Sequence, residues 1–527
     1  MRNDSSNSQT IGRIVLAVTI LGSSMAFIDG TVVNVALPAL QNAFHASIAD
    51  VQWVVESYAL MLAALLLVGG SLGDMLGRRK VYVFGVAVFA AASAGCGLAQ
   101  NIEMLIWARS IQGLGAALLV PGSLALITAS FPEETRGQAI GTWSGFSAIT
   151  AAIGPVIGGW LIEYSTWRWV FFLNLPLALT VILLSAKVPE SRNENASHRL
   201  DWPGSLLVTL GLGGVTYALI EWPARARHGI PLVAVAAAIG VVALAGFIAV
   251  EHWSRAPMVS LKLFRSRNFA GANLLTLFLY ASLGGLMFFF PMDLIQIQHY
   301  TATQAGAAFL PFVAIMFGLS RWAGSLVARY GSRIPLTIGP LVAACGIAVF
   351  AIVPQGRSYW ATFLPAVVVM GLGMTISVAP LTTTVMNAVP ETESGLASGI
   401  NNAVSRLAAL LAVAVFGAIL VLVFNRSLNQ SLAQLALSPD VRAQIDAVRP
   451  QLAAAHNPNP IVQRAIAESF VTGYHFVIWI ATSLAALSAI TAWLLIEPGS
   501  PITAKTGFVP RSDRSPSSTG TNPRPEA

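Results

Sequence analysis

Three ionisable residues stand inside long apolar runs of the sequence, where a charge is costly to keep: Asp29, Glu56 and Arg109. A charged side chain at the centre of a lipid bilayer costs about 2.5–3.5 kcal/mol, so such residues are candidates for function. The carboxyl group of Asp29 or Glu56 can take up a proton, release it, or bind a cation. An arginine stays charged and needs an acceptor as its partner. The pattern indicates proton coupling or cation binding.

Each of these three residues also has a purely structural interpretation. Hydrogen bonds would hold Asp29 as a part of the packing between helices. Glu56 lies only about 6 Å into its run at 1.5 Å per residue, and it would either share a cavity with Asp29 or reach the outer interface. Arg109 would tie neighbouring helices together. The sequence alone leaves these alternatives open.

Structural roles are expected for three further charges in or beside apolar runs. Asp293 follows Pro291 at the outer end of its run, and we expect it to anchor the helix at the interface. Arg321 and Arg406 are placed near the cytoplasmic ends of their runs. Their guanidinium groups are expected to reach water along the flexible side chains.

The elements that must position these residues are membrane-spanning helices. Of 527 residues, 55% are hydrophobic and 10% are charged, against about 25% charged residues in soluble domains. A span needs roughly 20 mostly apolar residues, and in lipid every backbone group needs an internal partner, so such runs form helices. We predict fourteen spans, the seventh being the shortest, at 14–38, 52–72, 81–99, 104–130, 138–162, 169–186, 204–220, 230–250, 269–292, 304–327, 334–353, 360–388, 397–424 and 471–496.

The distribution of positive charge orients these spans. Lys and Arg concentrate in the loops on the side of the amino terminus, and such loops face the cytoplasm. An even number of spans then places both termini in the cytoplasm of a multi-pass cell-membrane protein. The net charge of +7 marks this face, so nucleic acid is not an expected partner. Cys96 and Cys345 both fall in apolar runs, and neither a disulfide framework nor a metal site is expected.

A short internal repeat divides the chain into two halves. GSLGDMLGRRKV at 70–81 aligns with GSLVARYGSRIP at 324–335, and each segment joins the second and third spans of a six-span block. Such a duplication is typical of transporters whose substrate site lies near the middle of the membrane, between two pseudo-symmetric halves. The predicted fold class is therefore an all-α polytopic membrane protein with two pseudo-symmetric six-helix bundles and two inserted helices.

The repeat and the loops together predict the organisation of the chain. The tail is rich in Ser, Pro, Thr and Gly, a composition typical of disorder. The predicted segments are a cytoplasmic amino terminus at 1–13, a first six-helix bundle at 14–186, a cytoplasmic linker at 187–203, two inserted helices at 204–250, a second six-helix bundle at 269–496 that includes an outer loop at 425–470, and a disordered cytoplasmic tail at 497–527.

The loop between the second and third spans combines glycines with charges, namely Gly70, Asp74, Gly77, Arg78 and Arg79. The glycines allow a sharp turn and a close approach of two helix ends. The arginines hold the loop on the cytoplasmic side, and the aspartate pairs with a nearby arginine or lies at a helix N-terminus. We expect these contacts to break and reform as the halves move, which makes the loop a conformational switch. The alternative is a tight turn that only sets topology.

The fifth span carries a glycine–proline motif of Gly154, Pro155, Gly158 and Gly159. Pro155 removes one helix hydrogen bond and bends the helix, while the glycines give a smooth face for close packing. A bent, closely packed helix between the halves would act as a pivot and as a seal against leakage. Ordinary helix packing is the alternative.

Several of these motifs resemble signatures of the major facilitator superfamily. The loop resembles its cytoplasmic loop signature, the fourth span its arginine motif, and the fifth span the motif of its antiporters. The first span and the segment TWRWVFFLNLP resemble those of the fourteen-span drug:proton antiporters. The motifs read Gly70-x-Leu72-x-Asp74-x-x-Gly77-Arg78-Arg79, Leu105-x-x-x-Arg109-x-x-Gln112-Gly113-x-Gly115-Ala116, Gly154-Pro155-x-x-Gly158-Gly159 and Asp29-x-Thr31-Val32-Val33-Asn34-x-Ala36-Leu37-Pro38.

This resemblance implies a functional monomer and an influence of Arg109 on the release of a proton from a nearby acid. The sequence departs from the family pattern at two positions. Thr150 stands where the antiporter motif usually has glycine, and Ala328 replaces the aspartate in the second copy of the loop. Only the first copy is therefore expected to carry an acidic switch.

The function expected from these observations is secondary active transport. Protons would be the coupling ion, no cofactor is expected, and the partners would be small lipophilic, often cationic, substrates and the lipid bilayer. Proton and substrate would compete for Asp29 or Glu56 during antiport by alternating access. The alternative is an exporter of one dedicated metabolite, such as an amino acid, a siderophore or an antibiotic. An enzyme is not expected, since the sequence has no phosphate-binding loop and its histidines show no ligand spacing.

Overall fold

The computed structural model describes residues 2–192, 201–225, 230–254, 259–352, 358–390, 394–435 and 438–498. Every regular element in these ranges is a helix. The α-helices are α1 (Arg2–Phe44), α2 (Ile48–Leu76), α3 (Arg78–Gly97), α4 (Ile102–Ser130), α5 (Glu133–Tyr164), α6 (Trp169–Phe172), α7 (Asn174–Ser185), α8 (Trp202–Arg225), α9 (Ile230–Trp253), α10 (Arg267–Gln296), α11 (Ala302–Ala307), α12 (Leu310–Tyr330), α13 (Arg333–Phe350), α14 (Phe363–Asn387), α15 (Ser394–Ala433), α16 (Pro439–Val448) and α17 (Pro460–Leu495).

Thirteen helical segments of the described residues are long and apolar enough to cross a membrane, and a shorter apolar segment, Trp169–Ser185, lies between the fifth and the sixth of them. This shorter segment breaks at Leu173 into α6 and α7, because Pro176 cannot donate a backbone hydrogen bond to the preceding turn. The prediction that the seventh span is the shortest is wrong, since that segment covers Trp202–Pro223. The fold is all-helical, as predicted.

The first bundle is formed by α1–α7 and the second by α10–α17, and the two pack together at one end. There the Gln52 Nε2 atom donates to the Val413 carbonyl at 2.8 Å, and the Gln296 Nε2 atom donates to Gln41 Oε1 at 2.8 Å. These residues lie at the end of α1 that is remote from the amino terminus. The two bundles are therefore in direct contact at this end.

The inserted helices α8 and α9 form a hairpin against the seam between the two bundles. Leu212 of α8 packs with Leu60 of α2 and Leu410 of α15. In addition, the Trp53 indole nitrogen donates to Glu221 Oε1 at 3.3 Å. The hairpin thus covers the side of the molecule where α2 meets α15.

The two copies of the internal repeat share an unusual backbone conformation. Gly77 has a φ of +112° and Gly331 a φ of +72°, a region that residues with a side chain rarely adopt. Gly77 ends α2 and Gly331 ends α12. The sequence match is therefore accompanied by a matching turn at the same place in each half.

The segments between the spans differ in how much the structure describes. The long polar loop 425–470 is largely helical, because α15 runs to Ala433, α16 covers Pro439–Val448 and α17 begins at Pro460. Most of the predicted tail falls on 499–527, which lies outside the described residues, as does part of the predicted linker, 193–200.

Candidate functional site

A cavity of about 380 Å³ lies between the two bundles. Its wall is mostly apolar and combines helices of both halves, with Val55 and Leu62 on one side and Met287, Phe288 and Leu410 on the other. A mostly apolar cavity of a few hundred Å³ with few polar groups is the usual form of a small-molecule site. The polar groups of this wall therefore decide what it can bind.

Glu56 is the acidic residue of this wall. It lies about 12 Å along α2 from Ile48, which is deeper than the sequence indicated because α2 begins before the apolar run. The capping box of Ser47 and Asp50 fixes this start. The Glu56 side chain is 1% exposed, and its Oε2 atom has no hydrogen-bond partner among the described residues. The interpretation of Glu56 as a residue of the outer interface is therefore wrong.

A second acceptor without a partner faces the same cavity from α1. Asn34 lines the wall, and its Oδ1 atom is buried without a donor from the described part of the chain. An acceptor that is buried without a donor costs free energy. This side of the cavity is thus suited to a ligand that brings a positive charge or hydrogen-bond donors.

Asp29 has the opposite surroundings. It is fully buried and does not belong to the cavity wall. Its carboxylate forms a salt bridge with Arg109 and accepts hydrogen bonds from Gln112 Nε2 at 2.9 Å and from Asn174 Nδ2 at 3.3 Å. The sequence made both Asp29 and Glu56 candidates for proton or cation binding. Of these two residues, only Glu56 lines the cavity.

Arg109 joins this buried network to the cavity wall. Besides Asp29, its guanidinium donates to Gln112 Oε1 at 2.7 Å and to the Val54 carbonyl at 3.0 Å, and it lies 4.3 Å from the centre of the Tyr58 ring. Val54 and Tyr58 stand two residues before and two residues after Glu56. Arg109 therefore contacts α2 on both sides of the cavity carboxylate.

Sequence reasoning missed three neutral members of the network, namely Gln112, Asn174 and Ser93. Ser93 accepts from Asn174 Nδ2 at 3.0 Å and donates to the Phe171 carbonyl at 2.8 Å. Gln112 and Asn174 both stand within motifs noted above. The sequence signal for these three residues is a polar side chain within an apolar run. This signal is weaker than that of a charged residue, because a neutral side chain costs less free energy in lipid.

The structure corrects the placement of Arg406. It lies about 18 Å along α15 from Ser394, and it lines the central cavity. The prediction of a guanidinium that reaches water at the cytoplasmic end is wrong, because the side chain lines a cavity between the bundles. Arg321 on α12, in contrast, has an exposed side chain and lies outside the cavity wall.

Asp293 is also placed differently from the prediction. It is 3% exposed, so it does not anchor α10 at the interface. Its carboxylate accepts a hydrogen bond from the Gln298 side chain, and Tyr474 lies close to it. Asp293 belongs to the interior of the second bundle and not to the cavity wall.

The charged loop forms a compact set of contacts within the first bundle. Asp74 accepts from Arg78 Nε at 2.8 Å, so it pairs with a nearby arginine, which was one of the two expected partners. Arg79 donates from its side chain to the Val188 carbonyl at 2.9 Å, and its backbone N–H donates to Glu190 at 3.0 Å. A Cβ at Gly77 would lie 2.8 Å from the Glu190 carboxylate. Contacts with the segment after α7 therefore hold this loop in place.

The fifth span lies between the halves with its glycines at close contacts. A Cβ at Gly158 would come within 2.0 Å of Val32, and one at Gly154 within 2.4 Å of Thr31. On the other face, a Cβ at Gly159 would lie 2.3 Å from the Ala302 carbonyl oxygen, and one at Gly306 2.1 Å from that of Pro155. Glycine is therefore required both against α1 and against the second bundle. Gly70, in contrast, has only an ordinary contact with Pro121.

Several known proteins of similar sequence are named for resistance to drugs or antibiotics. A multidrug resistance protein, Stp, from Mycobacterium tuberculosis is 34% identical over 499 residues, covering 91% of both chains. The puromycin resistance protein pur8 of Streptomyces alboniger is 32% identical, covering 93% of both. The tetracenomycin C resistance and export protein of Streptomyces glaucescens is 32% identical over 77% of this chain and 75% of its own.

Solved structures share the fold at much lower sequence identity. A bacterial homologue of the human lysosomal transporter Spinster, in an inward-facing and unoccupied conformation, has a TM-score of 0.62 at 16% identity, covering 91% of this chain and 97% of the other. The xylose transporter XylE of E. coli, in an inward-open conformation, gives 0.57 at 15% identity over 93% and 97%. The sequence signature of the Major Facilitator Superfamily spans residues 19–413. The chain belongs to this superfamily and is a multi-pass membrane transporter, not an enzyme.

Proposed function

We propose that this transporter exports small lipophilic cations in exchange for protons, with Glu56 as the group that binds one or the other. The observation that carries this proposal is the Glu56 carboxylate, which is buried in the wall of an apolar cavity without a partner for Oε2. A lone carboxylate is costly in such surroundings. A proton or a cationic substrate removes that cost, and the two exclude each other.

The buried network has a supporting role in this proposal. Asp29 neutralises Arg109, and Arg109 in turn holds α2 at Val54 and Tyr58. Because Glu56 lies between these two positions in the sequence, the network fixes the α2 backbone from which the cavity carboxylate projects. Movement of α2 relative to α4 would change the surroundings of Glu56, so Arg109 is a positioning residue that links proton release to the conformation of the bundle.

Alternating access would proceed by rocking of the bundles about their close contacts. The fifth span and α11 approach backbone to backbone at Gly159 and Gly306, which suits a seal that excludes water and protons. The Asp74–Arg78 and Arg79–Glu190 contacts stiffen the inner end of the first bundle. We assign to this loop the role of a switch, and we place both termini in the cytoplasm of the cell membrane, with a monomer as the transporting unit in lipid.

The names of the relatives support an export function. One is named for multidrug resistance, and others for puromycin or for tetracenomycin C resistance and export. The names that refer to single antibiotics keep a second candidate open, namely an exporter of one dedicated metabolite. A broad profile of unrelated lipophilic cations would favour the first function, and a profile of one compound the second.

The proposal is tested by efflux of a fluorescent lipophilic cation from cells that lack their own pumps, with and without an uncoupler. Wild type is compared with Glu56→Gln at matched membrane expression, and Glu103→Gln, an exposed glutamate of α4, is the control. We expect uncoupler-sensitive efflux in wild type and control, and its loss in Glu56→Gln. Efflux in Glu56→Gln that equals wild type and still responds to the uncoupler would contradict the proposal.

A further inference from the structure

The cavity carries a second charge that no neighbour neutralises, and this charge comes from the opposite bundle. Arg406 of α15 lines the cavity, and among the described residues no ion pair or hydrogen bond to its guanidinium is found. Its side chain is only partly exposed. Its position about 18 Å along α15 leaves it no short route to water at the cytoplasmic face.

The other arginine of the wall shows what such a guanidinium normally requires. Arg109 has Asp29 as a counter-ion and three further contacts. Arg406 has the Tyr58 hydroxyl in its electrostatic neighbourhood, and that hydroxyl itself donates to the Ala26 carbonyl at 3.4 Å. A buried guanidinium without an anion is costly. Its fork of donors matches a carboxylate or a similar oxyanion.

The cavity is therefore bipolar. Glu56 and the Asn34 amide oxygen offer acceptors on the side of the first bundle, and Arg406 offers donors on the side of the second. Between them lies an apolar space of about 380 Å³, which is large enough for a drug-sized molecule.

We propose that Arg406 is a specificity-determining residue that binds an acidic group of the substrate, so that the transporter accepts amphoteric lipophilic molecules with one basic nitrogen and one acidic oxygen group. This inference rests on the proposed function of Glu56 as the cation site. The basic nitrogen faces Glu56 and Asn34, the acidic group faces Arg406, and the apolar body contacts side chains such as Phe288 and Leu410. Arg406 thereby widens the substrate range beyond simple cations.

The test uses a matched pair of dyes, a cationic rhodamine ester and the free acid of the same rhodamine, which adds a carboxylate to an unchanged body. Binding of each dye to the purified protein is measured by fluorescence anisotropy, since this avoids differences in membrane permeation. The variants are Arg406→Gln, Arg406→Lys and, as a control, Arg321→Gln. Gel filtration confirms that each variant is folded and monodisperse.

We expect wild type to bind both dyes, and Arg406→Gln to lose about tenfold or more in affinity for the free acid while it retains affinity for the ester. Arg406→Lys should recover part of that loss, and Arg321→Gln should change neither affinity. The inference is overturned if wild type does not bind the free acid, or if Arg406→Gln weakens both dyes equally or neither. Absence of uncoupler-sensitive ester efflux in cells would instead overturn the proposed function, so the two failures are distinguishable.

Discussion

Asp29 and Glu56 are both buried carboxylates of the first bundle, yet their surroundings differ completely. Asp29 accepts from Arg109, Gln112 and Asn174, which belong to two other helices. Glu56 lies on the cavity wall with one oxygen that has no donor. The first carboxylate is satisfied by the protein, and the second is left for something that enters the cavity.

This difference shows that burial of a charge does not by itself identify the working group of a transporter. A carboxylate that accepts hydrogen bonds from several neighbouring side chains contributes to the packing of the bundle. A carboxylate whose hydrogen bonds are missing changes its state when a proton or a cation arrives. We therefore expect the number of donors around each acid to distinguish a structural role from a transport role.

The largest expected effect concerns stability and separates the two acids directly. Asp29→Ala leaves Arg109 buried without a counter-ion, and removal of one partner of a buried pair costs about 3–5 kcal/mol. Glu56→Ala removes a carboxylate that has no such partner, so its cost should be much smaller. Thermal unfolding of the two purified variants in detergent checks this. Equal losses of stability in Asp29→Ala and Glu56→Ala would contradict the difference between the two acids.

A smaller effect is expected from two asparagines that differ in the same way. Asn174→Leu removes a hydrogen bond to the Asp29 carboxylate, and a hydrogen bond to a charged group contributes about 1.5–3 kcal/mol. Asn34→Leu removes an acceptor that has no donor in the described residues and should leave stability nearly unchanged, while it weakens cation binding. Thermal unfolding and dye binding of both variants sharpen the comparison, and the reverse order of stabilities would argue against it.

The smallest expected effect isolates the positioning role of Arg109. Arg109→Lys keeps a positive charge for Asp29 but loses the hydrogen bond to the Val54 carbonyl, because a lysine lacks the guanidinium fork. A hydrogen bond from a charged donor is worth about 1.5–3 kcal/mol, and because the lysine ammonium stays as a charged donor in the site, we expect only part of this to be lost, so that uncoupler-sensitive efflux falls by about three- to tenfold. Efflux assays at matched expression measure this. Unchanged efflux in Arg109→Lys would contradict a role of the Arg109–Val54 contact in proton coupling.

The apolar segments of the fold could be predicted from the sequence, because hydropathy and the backbone requirements of lipid leave few alternatives. Proline explains the break of one apolar segment into α6 and α7. Asp29 and Arg109 could be recognised as candidates because charges in apolar runs are rare. Their direct pairing could not, since it depends on how helices far apart in sequence pack together.

The depth of Glu56 was predicted too close to the surface, and the start of its helix is the cause. A helix starts where its first turn is capped and not where its apolar run begins. The start of α2 is set by Ser47 and Asp50, so Glu56 lies about two turns into the helix and not one. For Arg406 the apolar run already implied a position about 14 Å deep, and the prediction failed because the structure places a cavity between the bundles at that depth.

The measurement that tests the central claim most directly is proton release on substrate binding. Saturating lipophilic cation is added to the purified protein in weakly buffered detergent solution, and the pH is followed with an indicator dye. The account predicts that wild type and Glu103→Gln release protons when the cation binds, whereas Glu56→Gln binds without any release. Proton release from Glu56→Gln equal to that of wild type would contradict it and move the exchange to another acid.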